Sequence, residues 1–249
     1  MLTSSEIDHF VEQGYVPLRE AFPPAVAAAC CDLARQQLGL PADPPWPGAV
    51  VRGHVAGQST YQAATSPRFV DAIGQLLDGE SWTPRHELGN WVIRYPSTDA
   101  VDDPHDSGWH IDASFPGNDP GNDPGDFAAW RVNHRSRGRG LLLLCLLSNV
   151  RDDDAPTRLR PGSHRALPAL LAPFGDDGVP GIDAPLPPVE GPVVNATGEA
   201  GDVYLCHPFM VHAATWPHRG SEPRYVSQPG ITVEDGLKGT GPTKLGGGR

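Results

Sequence analysis

Residues 3–13 place Ile7, Phe10 and Val11 on one face, and Thr3 with Glu6 has the spacing of a capping box, so the chain opens on a short amphipathic helix that Gly14 ends. Tyr15-Val16-Pro17-Leu18 then predicts a brief strand. A second helix is expected over residues 24–38, with Pro in its first turn and Gly39 after its end. Residues 41–60 are rich in Pro and Gly and read as loop, and residues 66–77 as a third helix. From residue 80 the texture changes to short apolar segments. Strands are expected over residues 87–95, 109–115, 193–196, 202–210 and 224–233. Residues 140–150 form an apolar run of strand length, although periodicity alone leaves helix open. A turn at Arg160-Pro161-Gly162-Ser163-His164 precedes a short helix near residues 166–171.

Helices first, then many short strands on long loops, predict a mainly β fold with flanking helices: a double-stranded β-helix, or cupin-like jelly roll. No internal boundary stands out, so residues 1–249 read as one domain, with a flexible Gly-rich tail at 236–249. The 29 Gly and 28 Pro agree with a turn-rich β fold and argue against a helical bundle.

The formal charge of −11 excludes nucleic acid and anionic membranes as expected partners. Asp152-Asp153-Asp154 contributes to it as a solvated loop. Four cysteines without a CxxC pair are expected as small buried thiols rather than disulfides. With no basic-then-apolar leader and no run of 18 apolar residues, the expected location is the reducing cytoplasm.

His110-Ile111-Asp112 is the first chemical element, since residues i and i+2 of a strand share a face. With 10 His and 30 acidic residues, roughly one His-x-acid triplet arises by chance, so the pair decides little alone. His212 follows an apolar strand opened by Gly201-Asp202, and Arg224 lies 12 positions later. Two His and one carboxylate on one face of a metal leave the opposite positions free, which suits non-haem Fe(II) oxygenases. Arg224 would grip a carboxylate through a bidentate fork.

Trp109-His110-Ile111-Asp112, the Arg160–His164 turn, and Gly201-Asp202 leading to His212 and Arg224 together resemble the phytanoyl-CoA dioxygenase (PhyH-like) family, as do the opening helix, Gly14-Tyr15-Val16 and Phe22. The resemblance spans residues 3–233. It implies iron held by His110, Asp112 and His212, with 2-oxoglutarate held by Arg224 and O₂ as co-substrate. It implies oxidative decarboxylation of 2-oxoglutarate to succinate and CO₂, coupled to hydroxylation of an unactivated C–H of a small molecule such as a secondary metabolite. Relatives that halogenate lack the metal carboxylate, so Asp112 favours hydroxylation. Some relatives carry Ser two residues after the distal His, where this chain has Ala214, and Ser227 falls on the far face of its strand.

Asn90 and Trp91, on the strand before the His110 loop, are candidates for a further contact to 2-oxoglutarate, and Phe115 and Trp130 for contacts to substrate. Phe115 and Trp130 flank a Gly-Asn-Asp-Pro tandem that reads equally as a lid or a surface loop. His207 rivals His212 as the distal ligand, but five positions on a continuous strand put the two on opposite faces. His105, His134 and His218 read as exposed loop residues, and His164 as structural. Two other functions remain open: a cupin-type metalloenzyme that uses no 2-oxoglutarate, against which Arg224 argues, and a non-catalytic jelly-roll binding protein, against which the complete triad argues. The substrate and the oligomeric state are not encoded in these motifs.

Overall fold

The computed structural model describes residues 1–78, 80–97, 103–117, 129–188 and 190–233. Its helices are α1 (Ser4–Gln13), α2 (Pro24–Leu38), α3 (Gln58–Ala64), α4 (Pro67–Leu76) and α5 (Leu167–Leu171). Its strands are β1 (Tyr15–Leu18), β2 (Val50–His54), β3 (Asn90–Arg94), β4 (Arg131–Val132), β5 (Leu141–Leu146), β6 (Arg158–Leu159), β7 (Val179–Pro180), β8 (Val194–Asn195), β9 (Val203–Cys206), β10 (His212–Ala213), β11 (Arg224–Ser227) and β12 (Gly230–Ile231). The capping box of α1 is formed: Glu6 N–H donates to Thr3 Oγ1 and Thr3 N–H to Glu6 Oε2.

The large sheet runs β1-β9-β5-β11-β3-β2, with β12 also on β5, and a small sheet runs β10-β6-β8. The strand pairings in both are antiparallel. The architecture is a jelly roll with helices on one side. Strand β5 shows why its sequence is apolar at every position. Leu141, Leu143 and Cys145 pack toward Phe10, Ala27, Cys30 and Ile73 of the helices, with Leu147 just beyond the strand. Leu142, Leu144 and Leu146 pack inward against Leu159, Ala196 and Met210. Neither face meets water, so the period-2 signal is erased and only strand length remains. All four cysteines are free and buried.

Some expectations are corrected. Residues 41–60 are not all loop: β2 forms as an edge on β3, and α3 begins at Gln58. Residues 109–115 form no ladder, only isolated bridges at His110 and Phe115. The strand expected over 202–210 stops at Cys206, where a turn closes with Met210 N–H donating to the His207 carbonyl. The segment 224–233 is divided into β11 and β12, with a further bridge at Val233. Strands β4, β6 and β7, of two residues each, are too short to carry a pattern. The Gly-Asn-Asp-Pro tandem and the 236–249 tail fall mostly or wholly outside the described residues. Among the described residues no helix is long and apolar enough to cross a membrane.

Candidate metal centre

His110 and His212 face each other across an antiparallel bridge, each backbone N–H donating to the other's carbonyl at 3.0 Å. Their ring centroids stand 4.3 Å apart. Each imidazole is fixed in the same way. His110 Nδ1 lies 2.9 Å from the Gly108 carbonyl, and His212 Nδ1 lies 2.9 Å from the Met210 carbonyl. A carbonyl only accepts, so both Nδ1 atoms carry the proton and both Nε2 lone pairs are free.

Asp112 Oδ1 completes the group, 3.9 Å from His110 Nε2 and 3.7 Å from His212 Nε2. The three side chains bring one ligand atom each within 4.8 Å of one another. Ligand atoms at right angles around a first-row ion stand about 3 Å apart, so these residues fit such an ion after a modest contraction. His212 is buried while His110 and Asp112 are partly exposed, so the centre opens on one side.

The second Asp112 oxygen, Oδ2, accepts from Arg139 Nη1 at 2.5 Å. Burial raises the Asp112 carboxyl, but Arg139 and the two imidazoles outweigh it and hold it down at about 2. Burial pulls His212 below its ordinary value, against the attraction of Asp112. Both groups are therefore in ligating form at neutral pH. The sequence reading missed Arg139. Gly138 is its local cause: the residue sits at φ +83°, and a Cβ there would come within 2.6 Å of the Ser114 carbonyl oxygen. That close pass lays Arg139 beside Asp112.

Arg158 braces both halves of the centre. Its Nη2 donates at 2.8 Å to the Ser107 carbonyl, three residues before His110, and at 2.8 Å to the Ala214 carbonyl, two after His212. Trp109 lies under both Arg158 and Arg160, whose guanidinium carbons stand 4.9 and 5.3 Å from the ring centroid.

A cavity of about 340 Å³ opens on His110 and Asp112 and is lined also by Ala113, Trp130 and Ile182. Trp130 also lines a neighbouring cleft of about 480 Å³, with Asn90, Phe115, Arg139 and Gln228 around it. Asn90, Phe115 and Trp130 are thus brought to one region beside the triad. Trp91 is not, because the alternation of β3 turns it to the opposite face from Asn90, fully buried among the helix-side residues.

Arg224 takes the inward face of β11 with Val226, and is 2% exposed. Burial and the Arg94 charge push its guanidinium down to about 9, which leaves it charged at neutral pH. Ser227 takes the other face and donates to the Leu88 carbonyl.

His207 lies elsewhere. Its Nδ1 accepts from Phe209 N–H at 3.0 Å, and its ring is 4.8 Å from that of His164, beside a separate cavity of about 590 Å³. His164 is structural, with Nε2 donating to the Val11 carbonyl at 3.2 Å. His218 is buried rather than exposed, and its Nδ1 accepts from Gly220 N–H at 3.1 Å.

No protein-family model matches the sequence. No curated protein matches it. Solved structures do match. The epimerase SnoN, solved with Fe3+, alpha ketoglutarate and nogalamycin RO, is 19% identical with a TM-score of 0.63, covering 98% of this chain and 91% of that one. EvdO2 from Micromonospora carbonacea var. aurantiaca, complexed with 2-oxoglutarate, is 15% identical at TM-score 0.61, covering 96% and 94%. HygX from Streptomyces hygroscopicus, with nickel, 2-oxoglutarate and hygromycin B bound, is 16% identical at TM-score 0.55, covering 94% and 88%. At these identities the likeness shows the fold: this chain has, over nearly its whole length, the jelly roll of structures solved with 2-oxoglutarate, two of them with a metal as well.

Proposed function

We propose that this protein is an Fe(II)- and 2-oxoglutarate-dependent oxygenase of the PhyH-like kind that hydroxylates an unactivated C–H of a small molecule. One observation carries the reading: two imidazoles with Nδ1 tethered and Nε2 free converge on the Oδ1 of a single carboxylate. That donor set fits a ferrous ion and leaves one side for a chelating co-substrate and O₂. Bound there, iron and 2-oxoglutarate supply an oxidant strong enough for an unactivated C–H.

The chain's own residues do the rest. His110, Asp112 and His212 hold the ion, Arg139 aims Asp112, and Arg224 offers its fork to the co-substrate's distal carboxylate. The cavity at Trp130 gives a substrate access to the open side of the triad. The molecules bound in two of those structures, nogalamycin RO and hygromycin B, support a secondary-metabolite substrate. Asp112 occupies the position that halogenating relatives leave to chloride, which supports hydroxylation.

The test is anaerobic addition of 2-oxoglutarate to the Fe(II)-loaded protein. A visible metal-to-ligand charge-transfer band is expected, and its absence from intact, iron-loaded protein would overturn the reading. A substrate-stimulated succinate screen against a metabolite library then finds the substrate. A product that gains one oxygen atom supports hydroxylation, and an isomer of unchanged composition would replace it with epimerisation.

A further inference from the structure

Arg224 does not stand alone. In the antiparallel register its Cα partner on β3 is Arg94, so the two guanidiniums share the inward face of adjacent strands. Both are among the largest fully buried side chains, at 1% and 2% exposure. Two cations directly opposed in a dry interior repel unless an anion lies between or beside them.

The chain supplies only part of that anion. Arg94 Nη2 donates to Asp106 Oδ2 at 2.6 Å, and Asp106 Oδ2 is shared with the more exposed Arg52. Arg224 Nη1 donates to the Ala155 carbonyl at 2.5 Å. Among the described residues that leaves Arg94 Nε, Arg94 Nη1 and Arg224 Nε buried without a hydrogen-bond partner, with the Asp106 Oδ1 acceptor unpartnered as well. Buried guanidinium N–H groups are rarely left in that state. Asp106 is shared by Arg52 and Arg94, and Asp154 attracts Arg224 by charge, so three guanidiniums share two carboxylates and the cluster keeps a net positive charge.

We infer that Arg94 and Arg224 form a two-guanidinium seat for the distal carboxylate of 2-oxoglutarate, with Asp106 fixing how Arg94 presents its free N–H groups. This rests on the reading above and adds a residue, Arg94, that the family resemblance does not assign. A carboxylate has two oxygens and roughly four acceptor sites, enough to take the three unpartnered donors at once. The seat also sets a selection rule: a co-substrate ending in a neutral group leaves both arginines unpaired and is rejected.

Asp106 lies four residues before His110, so Arg94 has a competing purely structural role as an anchor for the metal-bearing loop. The experiment separates the two. Wild type, Arg94→Gln, Arg94→Lys and Arg224→Gln are loaded with Fe(II) under anaerobic conditions and titrated with 2-oxoglutarate, reading the charge-transfer band. Fe(II) affinity is measured separately by calorimetry. In metal-free protein, thermal protection by succinate tests the seat without chelation.

Arg94→Gln is expected to weaken 2-oxoglutarate binding on the order of tenfold to a hundredfold, leave Fe(II) affinity unchanged and abolish succinate protection. Arg94→Lys, which keeps the charge and is gentler on folding, should still weaken binding by about tenfold, because an ammonium cannot present the fork. Binding within about twofold of wild type in either variant overturns the inference. So does an equal loss of Fe(II) affinity in Arg94→Gln, which would make Arg94 a loop anchor only. A wild-type band that vanishes in Arg224→Gln and persists in Arg94→Gln sinks this inference alone, whereas no band in wild type sinks the function as well.

Discussion

Arg139 holds Asp112 by one oxygen and leaves the other to face two imidazoles, a division of labour set by a 2.5 Å contact from Nη1 to Oδ2. A carboxylate freed from that contact can rotate and offer its oxygens in the wrong plane. Arg139→Gln should therefore weaken Fe(II) binding roughly tenfold to a hundredfold, in the range seen for lost partners of metal ligands. Calorimetric metal titration reads it, and unchanged affinity would remove Arg139 from the centre.

The alanine variants of His110, Asp112 and His212 should each abolish substrate-independent succinate formation while keeping the folded circular-dichroism spectrum. His207→Ala should keep succinate formation. It should lower stability by about 1–3 kcal/mol, because the buried Phe209 N–H loses its acceptor. Succinate assays beside urea melts distinguish the two classes, and the opposite pattern would move the distal ligand to His207.

Gly138→Ala should act at a distance from the ion. The strained φ and the close Ser114 carbonyl predict a loss of about 1–2 kcal/mol. Because the same turn delivers Arg139, Fe(II) affinity should fall with it. A variant that loses stability and keeps full metal affinity would separate the turn from the centre.

Buried His164 gives a pH dependence with a definite sign. Burial above all lowers its folded value to about 4 from the ordinary 6.5. Above pH 6.5 neither state binds the proton and the contribution is intact. As pH falls from 6.5 toward 4, the unfolded chain takes up a proton that the folded chain refuses, and stability drops by roughly 3 kcal/mol in total. His207, depressed for the same reason, adds in the same direction. Thermal melts of metal-free protein between pH 7.5 and 4.5 should show a shallower decline in His164→Gln, whose amide can still donate to the Val11 carbonyl.

The cleft and the core can be told apart by kinetics. Trp130→Ala should raise KM for substrate with little change in melting temperature. Trp91→Phe should do neither beyond about 1 kcal/mol, since the Trp91 ring is in the core and its Nε1 has no partner to lose. A KM effect at Trp91 would place it in the site after all.

The helices were legible because their signals are local. Thr3 with Glu6, Pro24 and Gly39 each mark an end through contacts within a few residues. The convergence of His110, Asp112 and His212 was legible through order and spacing: His212 opens β10, and His110 and Asp112 lie two apart on a segment joined to it by an isolated bridge. What could not be read were the partners brought in from afar. Arg139 reaches Asp112 across 27 positions, and Arg94 meets Arg224 only through strand register. Neither fact has a periodicity in the chain. Trp91 shows the opposite failure: its neighbourhood along the sequence suggested the site, while its strand face assigns it to the core.

The bridge between His110 and His212 has a consequence for how the protein comes apart. No ladder flanks His110, so its segment is stitched to the small sheet by two backbone bonds and the brace of Arg158. An ion shared by the two rings acts as a clasp on that seam. Stripped of it, the seam becomes a low-cost opening unit, and the His110 and His212 amides should be among the first in this sheet to trade their protons with solvent. Iron occupancy would then be written in the exchange rates of two backbone amides, and protease sensitivity of the preceding loop would follow how well the clasp is kept.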